Sequence, residues 1–207
     1  MRRLCIAVYA ACLILFVLLC WSVSCYQYLP GDIAVYDWFS GINSPFFHGL
    51  MSGVSFMGET APAMITVAVI VALLFFSRRK LQAFFVGAVP TAAALSVWLL
   101  KLLLDRPRPA CVMADNGGLS FPSGHTTYAV AFAGFLFFLL PELVENKNVI
   151  KILRIAMLLF IALMITSRLY LCEHWLSDVL GGVLLGGLLV APAIVLYRRC
   201  SEGRQDA

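Results

Sequence analysis

Charge is scarce in this chain. Asp, Glu, Lys and Arg make up 13% of its 207 residues, about half the share found in an ordinary soluble domain. Residues 4–31 carry none at all. Hydrophobic residues reach 62%, and the mean hydropathy is +0.93. So little polar surface excludes a soluble globule and makes the bilayer the first solvent to consider. A net charge of only +4, spread along the chain, gives no nucleic-acid footprint. Seven cysteines are present, but no two form a C-x-x-C pair, and none has the spacing of a zinc site. Cys5, Cys12, Cys20 and Cys25 fall in the first apolar run, where a thiol serves as a small apolar side chain. Histidine is rarer still, at three. No internal repeat or low-complexity segment is evident. Neither a resident metal nor a cofactor is expected.

What is abundant is apolar sequence of membrane-crossing length, about 20 residues at a time. Six spans are expected, at about 4–26, 58–77, 81–101, 123–141, 149–170 and 174–197. The first follows Arg2-Arg3. Its apolar part exceeds the roughly 7–15 residues of a signal-peptide core, so it reads as a retained anchor. Residues 32–59 mix Tyr36, Trp38, Phe39, Phe46 and Phe47 with Asp37, Asn43 and His48. That mixture predicts one or two short interfacial helices, broken near Asn43-Ser44-Pro45. His48 reads as an interfacial histidine without a catalytic role. Pro90 predicts a kink in the third span. The 13 residues between Arg154 and Arg168 cover only about 20 Å of a ~30 Å core, so the fifth span must take in Lys151 and Arg154. Gly181-Gly182 and Gly186-Gly187 permit close helix packing in the sixth. The expected fold class is all-α: a polytopic membrane protein of six transmembrane helices, with short interfacial helices in the first outer loop. One domain is expected over residues 1–207.

Six spans put both termini on one side, together with 11 of the 15 basic residues. By the positive-inside rule that side is cytoplasmic, and the membrane is the inner, cytoplasmic one. The other four, Lys101, Arg106, Arg108 and Arg168, run against the bias. They gather at the outer ends of the third, fifth and sixth spans, beside His125 and His174.

Three outward segments converge there. The first holds Lys101 and Arg108-Pro109, the second is Pro122-Ser123-Gly124-His125, and the third holds Ser167-Arg168, His174 and Asp178. A helix start capped by Ser123 is a ready anion site, and arginine forks match phosphate oxygens. The implied ligand is a phosphate, or an oxyanion of the same shape. Two histidines without a metal cluster suggest covalent catalysis. His174 attacks phosphorus, and Asp178, one helical turn on, fixes its tautomer. Lys101, Arg108, Arg168, Ser123 and the Gly124 amide neutralise the equatorial oxygens. His125 protonates the leaving oxygen. Taken singly, each feature is more often structural: a turn and cap, a packed His–Asp pair, an anchoring lysine. Their joint occurrence, in order and on one membrane side, carries the reading.

Lys101, six residues, Arg108-Pro109; then Pro122-Ser123-Gly124-His125; then Ser167-Arg168, five residues, His174, three residues and Asp178: this order resembles the three-part signature of the type-2 phosphatidic acid phosphatases. That superfamily also includes vanadium haloperoxidases and glucose-6-phosphatase-like enzymes. The signature covers residues 101–178, and the six-span layout extends the similarity over nearly the whole chain. The resemblance implies a metal-independent lipid phosphatase with a phosphohistidine intermediate. It implies His174 as nucleophile, His125 as leaving-group acid, Asp178 as orienter and the rest as phosphate ligands. Substrates in the bacterial group include undecaprenyl diphosphate, phosphatidylglycerophosphate, phosphatidate and lipid A phosphates, and a polyprenyl diphosphate is the favoured one. The expected partners are such a lipid and the bilayer, with no nucleic acid and no obligatory protein. The site is expected to face the periplasm or exterior. Arg106 lies outside the signature and is expected to meet headgroups or a second phosphate, or to pair with Asp105. Glu173 is also outside it and reads as a solvated residue. A Cys111–Cys172 disulfide and two free thiols are equally open. A lipid-to-lipid phosphotransferase with the same intermediate is the alternative activity. A vanadate-holding oxidoreductase fits poorly with lipid access, and a non-enzymatic channel leaves His125, His174 and Asp178 unexplained.

Overall fold

The computed structural model describes residues 2–109 and 118–205. Among these residues the secondary structure is helical, apart from one isolated bridge between Pro107 and Leu119. The order is α1 (Arg2–Cys25), α2 (Asp32–Ser40), α3 (Pro45–Phe56), α4 (Thr60–Phe76), α5 (Lys80–Leu104), α6 (Gly124–Leu143), α7 (Lys147–Tyr170) and α8 (Leu176–Gln205). Among the described residues five helices are long and apolar enough to cross a membrane, and the bent pair of α3 and α4 passes the same test together, which allows a sixth span. The two helices meet at 54°, across a break at Met57-Gly58-Glu59.

Local chemistry explains the boundaries. Ser44 caps α3 by accepting from Phe47 N at 3.3 Å, with Pro45 at the first helical position. Asn146 caps α7 in the same way, through Asn148 N and Val149 N. The first outer loop therefore holds two short helices, broken where Asn43-Ser44-Pro45 predicts. α7 takes in Lys151 and Arg154, and the Arg154 guanidinium lies 4.6 Å from the Phe137 ring centre. α5 continues as one helix through Pro90. α8 runs on to Gln205, past the Arg198-Arg199 pair expected to close it. Charge ends an apolar run there, but Arg, Glu and Gln are good helix formers in water.

α6 is the central helix, packed against α5, α7 and α8. Its buried Ala129, Ala131 and Ala133 let these neighbours approach. From α8, Gly182 and Gly186 meet it. A Cβ on Gly182 would lie 2.9 Å from Ser123 O and Thr126 Cβ, and one on Gly186 2.7 Å from Val130 Cβ. A Cβ on Gly187 would meet nothing within 4 Å among the described residues. The packing role expected of four glycines thus excludes that one, which points away from the interface. The aromatic cluster of Phe85, Phe135, Phe138 and Tyr197 fills one end of the bundle. At the other end Phe39, Met51, Leu169, Tyr170 and Val179 bind α2 and α3 to α7 and α8. Leu4, Ile6, Leu13 and Leu18 on α1, like Ile152 and Leu159 on α7, face outwards. Those faces suit lipid, not water.

Candidate active site

The antiparallel order brings four helix ends together: the last turns of α5 and α7, and the starts of α6 and α8. Ser123 is fully buried at the start of α6. Its Oγ accepts from Thr126 N at 3.5 Å and Thr126 Oγ1 at 3.1 Å, which leaves its own hydroxyl proton for another acceptor. Its backbone N–H donates to Asp178 O at 3.0 Å and ties α6 to α8. The Gly124 amide opens the helix beside it.

His174 lies in the turn before α8 and is 4% exposed. Its Nδ1 is 3.5 Å from Asp178 Oδ2, an ion-pair contact without hydrogen-bond alignment. Asp178 is held elsewhere. Its Oδ2 accepts from Trp175 N at 2.8 Å, and its Oδ1 accepts from Arg106 Nη1 at 2.5 Å and Ser120 Oγ at 3.4 Å. Burial pushes the His174 pKa down from 6.5 to about 4; Asp178 opposes this, while Arg168 and Arg108 add to it. The ring is therefore neutral at neutral pH, the form that can attack. His125 opens α6 with Nε2 at 3.5 Å from Glu59 Oε1. Lys101, Arg108, Arg168 and His174 are all near enough to act on it electrostatically. Gly58, at the α3–α4 break, lies so close that a Cβ there would be 2.5 Å from His125 Cδ2.

The cations gather around the two histidines. Lys101 Nζ donates to Leu119 O. Arg168 donates through Nη1 to Ser55 Oγ and through Nη2 to Glu173 Oε2. Arg108 Nη1 donates to the same Glu173 oxygen at 3.0 Å. Among the described residues, the buried Nε atoms of both arginines have no partner. Lys101, Arg108, Ser123, Gly124, His125, Arg168, His174 and Asp178 thus surround one place. Among the described residues, no three His, Cys, Asp or Glu side chains are grouped to hold a metal ion.

Sequence reasoning missed the support beneath this set. Arg106 meets neither headgroups nor Asp105. It is 2% exposed and donates to Asp178, to Ser177 Oγ at 2.7 Å, to Asp32 Oδ2 at 2.9 Å and to Gln27 O at 3.2 Å. Asp105 ends α5 in the left-handed region, at φ 43°, which suits its short polar side chain. The chain turns there, and Arg106 points under the site. Glu173 is not solvated either, since it bridges Arg108 and Arg168. Asp32, Ser55 and Glu59 come from the first outer loop, whose aromatics signal an interface and nothing more. Cys111 lies outside the described residues, and with it the question of a Cys111–Cys172 bond.

Fold and site together define a class: a polytopic helical membrane protein whose helix ends hold a neutral histidine among convergent cations. The model of the PAP2 superfamily matches residues 82–202. Phosphatidylglycerophosphatase B of Bacillus subtilis is 30% identical over 153 residues, which is 72% of this chain and 74% of that protein. The crystal structure of the first transmembrane PAP2 type phosphatidylglycerolphosphate phosphatase from Bacillus subtilis shares the fold. Its TM-score is 0.82 at 24% identity, over 92% of this chain and 96% of that one. Aquifex aeolicus LpxE matches with a TM-score of 0.59 at 18% identity, over 81% of this chain and 97% of that one. The chain belongs to the PAP2 superfamily and is a multi-pass membrane lipid phosphatase.

Proposed function

We propose that this phosphatase removes a terminal phosphate from a membrane lipid at the outer face of the cytoplasmic membrane, through a phosphohistidine on His174. His174 Nε2 attacks phosphorus as the bond to the lipid oxygen breaks, and His125 gives that oxygen a proton. Water then attacks the phosphohistidine and loses its proton to His125, releasing inorganic phosphate and restoring His174. Asp178, fixed by Arg106 and Trp175 N, faces Nδ1 and stabilises the positive ring that forms. Lys101, Arg108, Arg168, Ser123 and the Gly124 amide offset the charge on the three equatorial oxygens, so the chemistry is metal-independent. The observation that carries this reading is His174 itself, buried and neutral between Asp178 and the cations.

The basic bias of the terminal side supports cytoplasmic termini and a site on the opposite side. A single catalytic domain spans the chain. The likeness to phosphatidylglycerophosphatase B makes phosphatidylglycerophosphate the first substrate to try, with undecaprenyl diphosphate, phosphatidate and lipid A phosphates beside it. In a phosphate-release screen across these lipids in detergent, one is turned over by the wild type, unaffected by chelators, and His174→Ala abolishes the release. Full activity of His174→Ala sinks the mechanism.

A further inference from the structure

The reaction as written makes no use of Glu173, yet this residue occupies the place the phosphate needs. Its Oε2 accepts from Arg108 Nη1 at 3.0 Å and from Arg168 Nη2. The two guanidiniums arrive from different elements, the chain after α5 and the last turn of α7, and meet on one carboxylate oxygen. Each leaves a buried Nε with no partner among the described residues. The Glu173 side chain is 14% exposed, against 1% for Arg168, so the acid has a path towards solvent and the arginine has none. Lys101 also feels its charge. A carboxylate is planar and carries one charge. A phosphate ester end is tetrahedral and carries about −1.5 to −2 at neutral pH, with enough oxygens to meet the donors Glu173 leaves unused.

We propose that Glu173 is a built-in placeholder for the phosphoryl group and a filter on what replaces it. In the resting site its carboxylate holds Arg108 and Arg168 where phosphate binding requires them. On binding, the phosphoryl oxygens take over both forks and Glu173 turns towards water. The inference rests on reading Arg108 and Arg168 as phosphate ligands. Its consequence is selectivity by charge. The site opens onto a surface crowded with phosphodiester headgroups, each with a single negative charge. A singly charged diester gains no more from the arginines than Glu173 already supplies, so it does not displace the acid. A terminal phosphate near −2 does.

The test uses the full-length protein in mixed micelles and Glu173→Gln, with Glu173→Ala as a second variant. Inorganic phosphate, a lipid phosphate substrate and phosphatidylglycerol, a phosphodiester, are the three probes. Phosphate binding is read by competitive inhibition and by the rise in melting temperature with phosphate. Removing the internal competitor tightens inorganic phosphate and lowers KM for the lipid phosphate by roughly tenfold or more, the scale of one charge-assisted hydrogen bond. It also makes phosphatidylglycerol an inhibitor, which it is not for the wild type. Unchanged or weaker phosphate binding in both variants overturns the placeholder, and so does a failure of both to fold, which would make Glu173 a structural tie. If the wild type itself does not bind phosphate competitively, the phosphate-site reading falls and the placeholder with it.

Discussion

Asp32→Asn is the sharpest probe of the support beneath the site. Asp32 is 1% exposed, and its carboxylate accepts four hydrogen bonds. They come from Leu29 N at 2.9 Å, Arg106 Nη2 at 2.9 Å, Ser177 N at 2.9 Å and Ser177 Oγ at 2.8 Å. Asparagine has nearly the same shape, but one of its two terminal atoms is a donor. With its NH2 at the Oδ1 position, Ser177 N–H faces a donor. With its NH2 at the Oδ2 position, Leu29 N–H and Arg106 do. Either way a buried donor is stranded at about 1–3 kcal/mol, and a charged hydrogen bond worth about 1.5–3 kcal/mol is lost. The sum, roughly 3–5 kcal/mol, matches the usual result of breaking a buried ion pair. Ser177 directly precedes Asp178, so the slack reaches the carboxylate facing His174. A displacement of about 1 Å there is enough for a hundredfold loss. The assay is unfolding in mixed micelles together with lipid phosphate turnover. kcat falls at least tenfold while KM holds, because Asp32 does not touch the phosphate ligands. Asp37→Asn, an exposed acid on the same helix, changes neither. An Asp32→Asn protein within about 0.5 kcal/mol and twofold of wild type would refute the argument, since changes of that size are what uninvolved surface positions give.

Other perturbations read separate parts of the structure. Gly58→Ala places a methyl 2.5 Å from His125 Cδ2 and 3.0 Å from Met164 Cε; turnover falls at least tenfold, by the same sensitivity to displacement, and a variant with unchanged kcat would contradict the contact. On α8, Gly182→Ala drives a methyl against Ser123 O, with a loss of about 1–3 kcal/mol, whereas Gly187→Ala meets open space and gains up to about 1 kcal/mol of helix propensity; equal melting temperatures would overturn the packing. The His174 ring, followed by NMR of histidine-labelled protein against a His174→Ala blank, titrates near pH 4 and not 6.5. The unfolded chain takes up that proton near pH 6.5 and the folded one near 4, so this contribution to stability is fully present above pH 6.5 and is lost as the pH falls between the two values.

The signature residues are legible in the sequence because they sit at helix ends. There spacing gives the face, and a cap such as Ser123 gives the helix start. The helices themselves are legible from run length, and Ser44 and Asn146 announce their own caps. What escapes is any pairing set by tertiary contact alone. Nothing local links Asp32 to Arg106, 74 positions on, or Ser55 to Arg168, 113 positions on. Glu173 looks solvated because its neighbours in sequence are a turn; its burial comes from Arg108, on another element. The α3–α4 bend is hidden for a related reason. The sequence separates an interfacial segment from a span that starts near residue 58, but the approach of Gly58 to His125 that sets the bend comes from another element.

The Asp32–Arg106–Asp178 junction also bears on how the protein is made. Its members stand before α4, after α5 and in the first turn of α8. A nascent chain threading its helices into the bilayer in order carries Asp32 and Arg106 to the site's side of the membrane long before Asp178 exists there. Until the last span inserts, each of these charges rests in water at little cost, and the half-site has no competence. Insertion of α8 is the step that closes the junction, withdraws all three charges from water and delivers His174. Activity therefore waits on α8 and arrives with it as a single event, and a chain in which α8 has not inserted is silent towards the lipids around it.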